Sequence, residues 1–482
     1  MRIPETIRSI AEKLNQKGFE AFLVGGCVRD LILKKEPQDF DIATNALPED
    51  VKKIFPDSFY ENDFLTVTVK TGSNDEKLKE VEITTYRSEA KYTDKRHPDA
   101  VKKARDIEED LARRDFTINA VALNTSGEIM DPFKGQKDLK DKVIRAVGKP
   151  EERFSEDALR MMRTVRFATA LDFSIEDKTG KAVKNNANLL SLISKERIRD
   201  EFVKIIMADK ASEGIELLRE LGLLKYIMPE LEEGYKVGQN KHHIYDCWEH
   251  SLKSLDYAAS KKFNMHVRIA ALMHDIAKPR VKAGDGSDST FYNHEIVGAK
   301  MTKEILERLK FSKKDAEKII RLVRYHLFYY NVGEVKEASV RRLVKNVGIE
   351  NMEELLQVRQ SDRIGSGVPK AEPYKLRHLK YLIEKVSQDP ISAKALEING
   401  NDIIKLLGIK PGRKIGWILE ILLADILGNP KGNKKELLFE RAKELGKLSD
   451  KELSEKSKKA QTEISQVEIK KDKMTKDKYW VV

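Results

Sequence analysis

The stretch FLVGGCVRDLILKKEPQDFDIAT near the N-terminus constrains the fold more than any other part of the chain. An apolar run typical of a strand ends at Gly25 and Gly26, which allow the backbone to approach a phosphate group closely. A helical pattern follows, and Arg29 lies one turn into it. Asp39 and Asp41 alternate on a second predicted strand, so their carboxylates share one face. The stretch therefore predicts a mixed strand and helix arrangement with sites for a divalent cation and phosphate oxygens.

The pattern of apolar residues changes after residue 148. Short strand-like runs such as TVTVKTG and VEITTYR occur before it, whereas helical periodicity dominates after Glu151. The sequence therefore predicts an α+β fold, with a β-sheet head followed by a long all-α body. The predicted segments are the head (1–148), a helical region (149–240), a histidine-bearing domain (241–365), a C-terminal helical module (366–450) and a charged, flexible tail (451–482).

Composition excludes several classes of protein. Of 482 residues, 40% are hydrophobic and 35% are charged, and no run has the length of a membrane span. The N-terminus lacks the apolar core of a secretory signal, so we expect a cytoplasmic protein. Cys27 and Cys247 are far apart, which argues against a disulfide framework. The net charge of +11 is weak evidence for a polyanionic partner, because much of it lies in the lysine-rich C-terminus.

Three charged residues recur at three-residue intervals in SEDALRMMRTVR. Asp157, Arg160 and Arg163 are expected on one stripe of a single helix. They are either surface ion pairs or a site that reads base edges. A carboxylate that accepts from an exocyclic amino group, beside a guanidinium that donates to a ring nitrogen, would admit cytosine and adenine and reject guanine and uracil.

Four motifs in register carry a resemblance to a known family. LVGGCVRDLIL with DFDIAT, RRDFTINAVAL, DPFKGQKDLKDKVIRAVG and EDALRMMRTVRF resemble the ordered motifs of class II CCA-adding tRNA nucleotidyltransferases and bacterial poly(A) polymerases. The resemblance implies a nucleotidyltransferase-type head that adds or repairs the 3′-terminal CCA of tRNA with CTP and ATP. A poly(A) polymerase, a CC-adding or A-adding enzyme, and an RNA-binding protein with an inactive head remain alternatives. No membrane and no obligate protein partner are implied.

The resemblance also implies roles for individual residues. Asp39 and Asp41 would be catalytic and bind Mg²⁺, and Glu82 is a candidate third carboxylate. The nucleotide-binding residues would be Gly26, Arg29, Arg114, Asp115, Asn119, Asp157, Arg160, Arg163 and Arg166. The C-terminal module, with its turn GIKPGRKIG, would contact tRNA.

A series of histidines and aspartates characterises the second half of the chain. Its members are His250, His274, Asp275, His294, His326 and Asp362. The series resembles the signature of HD-type phosphohydrolases, in which His250, His274, Asp275 and Asp362 would bind a divalent metal of unidentified kind. That resemblance implies a possible hydrolase activity on 2′,3′-cyclic or 2′-phosphates.

The charged stretch at residues 91–115 contains Pro98 and predicts a mobile loop beside the nucleotide site. By the same resemblance, this loop would adjust the site from cytosine to adenine.

Overall fold

The computed structural model describes residues 3–61, 65–90, 100–240, 244–284, 286–387 and 393–481. The chain divides into two compact units, Met1–Leu327 with Glu353–Pro369, and Phe328–Met352 with Lys370–Val482. Residues 328–352, which the sequence analysis placed within the histidine-bearing domain, thus pack with the C-terminal unit. Within the described residues, no helix is long and apolar enough to cross a membrane.

The first unit begins with a mixed sheet. The strands are β1 (Ala21–Val24), β2 (Asp41–Thr44), β3 (Ser58–Glu61), β4 (Thr66–Lys70), β5 (Glu80–Thr85), β6 (Arg87–Ala90), β7 (Ala100–Lys103), β8 (Ala122–Leu123), β9 (Ile129–Met130), β10 (Val143–Ile144) and β11 (Ser174–Ile175). The main sheet has the order β3-β4-β5-β2-β1-β8-β9. β2 and β5 are parallel, and their register pairs Asp41 with Glu82. The predicted α+β class is confirmed.

The first unit contains most of the helices. They are α1 (Glu5–Gln16), α2 (Gly26–Ile32), α3 (Pro48–Ile54), α4 (Ile107–Ala112), α5 (Gly135–Asp141), α6 (Pro150–Glu156), α7 (Leu159–Leu171), α8 (Asp177–Asn186), α9 (Lys195–Ile206), α10 (Ala211–Glu220), α11 (Leu224–Ile227), α12 (Pro229–Glu232), α13 (Cys247–Ser260), α14 (Met265–Met273), α15 (Lys278–Val281), α16 (His294–Arg308), α17 (Lys313–Tyr325) and, after the segment that packs with the other unit, α19 (Met352–Gly365).

Side-chain alternation along the strands gives the sheet two buried faces. Leu23 and Ile42 pack in a core with residues of α1 and α3. Their neighbours Val24 and Ala43 point to the opposite face, where the core includes residues of α4. Because both faces are covered, the strand ends are held rigidly, and β2 presents Asp41 at its first position.

Helix caps determine where the histidine-bearing helices begin, and apolar stripes determine which face of each helix is buried. The side chains of Asp246 and Asn264 accept hydrogen bonds from the first turns of α13 and α14. α17 begins after Ser312, which caps it, and buries one apolar stripe. The helices thus begin at defined residues, which sets where their histidines point.

The second unit is helical. Its helices are α18 (Glu337–Val347), α20 (Tyr374–Ser387), α21 (Gly400–Leu407), α22 (Arg413–Gly428), α23 (Lys435–Gly446) and α24 (Asp450–Lys478). The sequence predicted a flexible tail for 451–482, but α24 forms there. Ser449 and Glu452 make a reciprocal capping box at its start. Leu453 and Ala460 are buried in the core of this unit, so tertiary packing supplies what the polar composition lacks.

The expected loop at residues 91–115 is partly regular. β7 pairs with β6 in a two-stranded sheet, and α4 begins at Ile107 after an Asp106 cap. The prediction of a mobile loop is therefore wrong for the strand and helix positions. Residues 91–99 lie outside the described residues.

Candidate active site and histidine-rich centre

A cleft of about 1090 Å³ in the first unit brings together every residue that the sequence singled out for the nucleotide site, from the head and from the helical region that follows it. They are Gly26, Arg29, Asp39, Asp41, Glu82, Arg114, Asp115, Asn119, Asp157, Arg160, Arg163 and Arg166. The sheet with the segment before β2, the helices α2 and α7, the junction between α6 and α7, and the segment after α4 contribute them. Residues far apart in sequence therefore line one cavity.

Three carboxylates lie on one side of the cleft. Asp41 begins β2, Glu82 is its register partner on β5, and Asp39 precedes the strand rather than lying on it. Burial, together with the charges of Asp39 and Glu82, raises the pKa of Asp41 to about 6. The carboxylates repel one another, so the group of oxygens favours a bound cation.

Gly25 makes a close approach possible beside Asp41, because a Cβ there would lie 3.6 Å from the Asp41 Oδ2. Its φ of 77° is in the left-handed region, and a Cβ there would lie 2.9 Å from the Arg114 Nη1. A larger residue would both strain the backbone and displace this guanidinium.

Three arginines surround one aromatic ring in the cleft. The guanidinium carbons of Arg29, Arg163 and Arg166 lie 5.3, 5.3 and 4.1 Å from the centre of the Phe167 ring. Burial and the neighbouring Arg163 lower the pKa of Arg166 to about 10. Close packing of like charges is costly, and an anionic ligand would relieve it.

Neighbouring polar side chains hold these guanidinium groups in place. Arg163 donates to Asp115 at 2.6 Å, and Arg29 donates to the Asn119 Oδ1 at 3.0 Å. Although burial opposes its ionisation, Arg163 and Asn119 lower the pKa of Asp115. Asp115 and Asn119 therefore orient arginines as well as lining the cavity.

Asp157 and Arg160 do not share a helix, contrary to the expectation. Asp157 follows the end of α6 with extended backbone angles, and Arg160 lies on α7. The Asp157 carboxylate accepts from the Leu159 N–H at 3.0 Å and from Arg197 at 2.8 Å. Because its oxygen takes the N–H of Leu159, the aspartate ends one helix and starts the next.

Arg160 is buried and already bonded. It donates to Glu156 at 2.6 Å and to the carbonyl oxygens of Arg153 and Arg113 at 3.2 and 3.1 Å. These contacts fix the position of the guanidinium at the wall of the cleft.

Several residues that hold the side chains of the cleft in place were not predicted from the sequence. Asp110 is almost fully buried and bonds both Arg113 and Arg114. Arg197 holds Asp157, and the buried Glu201 pairs with Arg166 at 3.2 Å. Glu201 had a sequence signal, because it is a charged residue on the apolar face of the ERIRDEF helix.

The histidine-rich centre gathers the second series from three helices, α13, α16 and α19, and from the residues that directly follow α14 and α17. The His250 Nε2 lies 2.9 Å from the His274 Nε2, 3.2 Å from the Asp275 Oδ2 and 3.5 Å from the Asp362 Oδ1. The His274 Nε2 lies 3.3 and 3.6 Å from the same two oxygens. The four residues expected to bind a metal are therefore adjacent and buried.

His294 and His326 lie on the other side of Asp275. Their Nε2 atoms are 3.4 and 3.7 Å from the Asp275 Oδ1. Lys278 donates to the Asp275 Oδ2 at 2.6 Å and to Gln239. Although burial opposes ionisation, His274 and Lys278 hold the pKa of Asp275 well below its usual range.

The centre opens into a cavity of about 520 Å³. Arg359 and Arg363 line it together with the exposed Tyr292. Cations around a buried imidazole and carboxylate cluster are suited to a phosphate ester.

Comparison with known families finds three matches along the chain. Residues 21–145 match the Poly A polymerase head domain, and residues 172–234 match the probable RNA and SrmB-binding site of polymerase A. Residues 247–364 match the HD domain. The first match contains the cleft residues up to Asn119, and the third contains the histidine-rich centre. The cleft residues from Asp157 to Phe167 lie between the first and second matches.

Whole-chain relatives share one description. A CCA-adding enzyme of Ligilactobacillus salivarius is 36% identical over 448 residues, which are 90% of this chain and 95% of the relative. A CCA-adding enzyme of Lactococcus lactis is 34% identical over 92% of this chain and 99% of its own. The solved Bacillus stearothermophilus CCA-adding enzyme in complex with CTP is 27% identical with a TM-score of 0.58, covering 92% of this chain and 98% of that one.

Proposed function

This chain belongs to the CCA-adding enzyme family, and from that membership we propose that it adds or repairs the 3′-terminal CCA of tRNA without a template, using CTP and ATP. The observation that carries the proposal is the single cleft in which three carboxylates face clustered arginines. In the reaction, the tRNA 3′-oxygen bonds to the α-phosphorus, and the bond to the leaving pyrophosphate breaks.

The residues present fit a Mg²⁺ ion. Asp39, Asp41 and Glu82 supply carboxylate oxygens, the ligands that hard cations prefer. Bound there, Mg²⁺ would lower the pKa of the attacking hydroxyl and offset the charge of the triphosphate.

The arginines on Phe167 are proposed to bind the triphosphate. Arg29, Arg163 and Arg166 converge on the cleft, and phosphate oxygens would relieve their mutual repulsion. Gly26 begins α2 beside Arg29, and its missing side chain leaves room for the phosphates. Arg114, Asp115 and Asn119 lie next to this group and are proposed to contact sugar and phosphates.

Asp157 and Arg160 are proposed to select the base. Asp157 would accept the exocyclic amino group of cytosine or adenine, and Arg160 would donate to the unprotonated ring nitrogen. A guanidinium carries five N–H donors. Within the described part of the chain, the contacts to Glu156, Arg153 and Arg113 leave donors available.

Incorporation of radiolabelled CTP and ATP into tRNA that lacks its CCA tests the proposal. We expect addition of C, C and A followed by arrest, which a sequencing gel resolves. A long adenine ladder would indicate a poly(A) polymerase, arrest after CC a CC-adding enzyme, and A addition only to tRNA ending in CC an A-adding enzyme. No incorporation with retained tRNA binding would indicate an inactive RNA-binding head.

A second activity, phosphohydrolysis, is favoured by the histidine-rich centre. His250, His274, Asp275 and Asp362 offer imidazole and carboxylate ligands that suit a divalent transition metal. Hydrolysis of a 2′,3′-cyclic or 2′-phosphate by metal-loaded protein tests this activity. We expect it to disappear in the His274→Ala variant, whereas CCA addition persists.

We propose functional segments with the boundaries that the sequence predicted. We propose the head at 1–148, nucleotide selection and RNA binding at 149–240, the HD domain at 241–365 and tRNA contacts at 366–450. The three family matches support the first three segments.

A further inference from the structure

Two threonine side chains line the cleft next to the three carboxylates. Thr66 on β4 and Thr84 on β5 are register partners, and their hydroxyl oxygens lie 3.0 Å apart. Both residues line the cleft. Because side chains alternate along a strand, Thr84 is the next residue after Glu82 on the same face of β5. The threonine pair therefore continues the row of cleft-facing side chains that includes Glu82.

The order of the strands separates this pair from the proposed triphosphate site. The order across this part of the sheet is β4-β5-β2-β1. Gly26 and Arg29 belong to α2, which follows β1 on one side of Asp41. Thr84 and Thr66 lie on β5 and β4, on the other side of Asp41. Since neighbouring strands are about 4.8 Å apart, the pair lies roughly 5–10 Å from β2, in the direction away from β1.

The direction of attack determines what enters the cleft on this side. In an in-line displacement, the attacking and leaving oxygens lie on opposite sides of the phosphorus. The leaving pyrophosphate is part of the triphosphate, which we place beside α2. The attacking 3′-oxygen of tRNA must therefore approach from the side of β5 and β4, so the ribose that carries this oxygen lies next to Thr84.

The Thr84 hydroxyl is chemically suited to bind a ribose hydroxyl. A threonine hydroxyl has one donor hydrogen and two acceptor lone pairs. Within the described ranges of the chain, this hydroxyl bonds only Thr66, which occupies one of these three positions. The 2′-hydroxyl of a ribose is also both a donor and an acceptor, so the two groups are complementary.

We propose that the Thr84 hydroxyl, oriented by Thr66, binds the 2′-hydroxyl of the terminal ribose of tRNA and thereby aligns the neighbouring 3′-oxygen for attack. The inference rests on the proposed CCA addition and adds a residue that binds the acceptor end of tRNA rather than the incoming nucleotide. Because the 2′-hydroxyl distinguishes RNA from DNA, this contact makes the enzyme selective for an RNA acceptor.

A pair of acceptors that differ in one hydroxyl tests this contact. Both are tRNAs that end in CC with a free 3′-hydroxyl, and the terminal cytidine carries either a 2′-hydroxyl or a 2′-hydrogen. In single-turnover addition of A, the parent should use the ribose acceptor about two- to tenfold faster, the effect of one neutral hydrogen bond. Thr84→Val removes the hydroxyl but keeps a β-branched side chain suited to a strand, and it should reduce this ratio to about one.

Two further variants separate the contact from a general effect on the fold. Thr66→Val should also lower the ratio, because the Thr84 hydroxyl loses the partner that orients it. Thr68→Val is the matched control, because Thr68 lies on the same strand but is not among the residues that line the cleft, and its ratio should equal that of the parent. A partly unfolded variant would use both acceptors more slowly and leave their ratio unchanged.

Three results would overturn the proposal. Equal rates with both acceptors in the parent, or the parent ratio in Thr84→Val, would reject the contact but leave CCA addition intact. A Thr84→Val variant that keeps the acceptor ratio but loses its preference for ATP over 2′-deoxy-ATP would place the hydroxyl beside the incoming nucleotide. A parent that adds nothing to either acceptor would reject the proposed CCA addition itself, and the contact with it.

Discussion

Asp41 of the head is held in a position that lowers the stability of the fold but places its carboxylate in the candidate active site. Asp41 lies half-buried beside Asp39 and Glu82, and its pKa rises from 3.8 to about 6. The folded protein therefore binds a proton more tightly than the unfolded chain does. The stabilising effect of that proton is complete below pH 3.8 and is lost as pH rises through about 6.

Replacing Asp41 by asparagine should separate stability from activity. Without metal, the variant should have a higher Tm than the parent at pH 8, where Asp41 is charged, and nearly the same Tm at about pH 3.5, which is below both the folded and the unfolded pKa. Turnover should fall by about 10²-fold or more, because a group that stabilises developing charge is lost. Thermal melts in EDTA and single-turnover CCA addition measure the two effects.

Asp50→Asn is the control for this prediction, because Asp50 pairs with Lys53 on the surface of α3. It should leave turnover unchanged. An equal change in Tm of the Asp41 variant at both pH values would contradict the assigned repulsion.

Arg197 is a residue that positions another. It donates to the Asp157 carboxylate at 2.8 Å, which orients the oxygens toward the cleft. Arg197→Met should raise misincorporation of UTP and GTP relative to CTP by about tenfold, since a charged hydrogen bond contributes about 1.5–3 kcal/mol. Competition assays with all four nucleotides measure this ratio.

Arg199→Met is matched to Arg197→Met, because Arg199 lies on the same helix and pairs with Asp200. Its selectivity should equal that of the parent. Asp157→Ala should reproduce the loss seen in Arg197→Met, and normal selectivity in both variants would exclude Asp157 from base recognition.

At the scale of elements, sequence patterns located the strands and helices better than the breaks between them. Apolar periodicity continues through SEDALRMM, so one helix was expected, whereas α6 ends at Glu156 and α7 begins at Leu159. The break lies at Asp157, whose carboxylate accepts from the Leu159 N–H and is held by Arg197 of a distant helix. The strand carrying Asp41 was predictable because its alternation is local.

Close helix packing determines the geometry of the histidine-rich centre. A Cβ on Gly365 of α19 would lie 2.1 Å from the Ser254 Oγ and 2.9 Å from the His250 backbone oxygen on α13. Asp362 lies one turn before Gly365. Gly365→Ala should therefore push α19 away and reduce Mn²⁺ affinity of the centre by about tenfold or more, while CCA addition continues.

Gly298→Ala provides the comparison for Gly365→Ala. Gly298 lies on α16, and its Cβ would be 3.6 Å from the nearest atom, the His274 backbone oxygen. Alanine fits there at ordinary contact distance, so metal affinity should not change. Isothermal titration with Mn²⁺ compares the two in a background that carries Asp39→Asn and Asp41→Asn, which removes the head carboxylates. Equal affinities would show that α19 is not held by this contact.

At the scale of the whole molecule, sequence motifs singled out the residues of both candidate sites. They did not single out the buried residues that hold those side chains in place. The sequence singled out Asp39, Asp41 and the series of histidines and aspartates in the second half of the chain, because their spacing is specific. Arg268 and Asp110 have no motif, and Glu201 is marked only as a charged residue on an apolar helix face. The importance of all three comes from burial created by distant helices. The helical tail α24 is a similar case, because its packing partner α22 determines its order.

Arg268 joins the histidine-bearing helices to the helical region before them. Its buried guanidinium donates to the carbonyl oxygens of Ile206 and Ala208 at 3.0 and 2.9 Å, and to that of Phe263 at 2.8 Å. These oxygens lie at or beyond the ends of α9 and α13, where carbonyl groups lack partners within the helix. One side chain thus satisfies the ends of two helices from different segments.

Arg268→Met should destabilise the first unit by about 2–4 kcal/mol, because methionine fills part of the volume but leaves buried carbonyl oxygens without donors. Urea unfolding followed by tryptophan fluorescence measures the change, since Trp248 is buried on α13. Arg280→Met is the control, because the exposed pair of Arg280 with Glu233 should contribute no more than about 1 kcal/mol. After heating, the variant should lose both CCA addition and metal binding at a lower temperature than the parent, since both sites belong to the unit that Arg268 holds together. A variant as stable as the Arg280→Met control would mean that the three carbonyl oxygens find other donors when the guanidinium is removed.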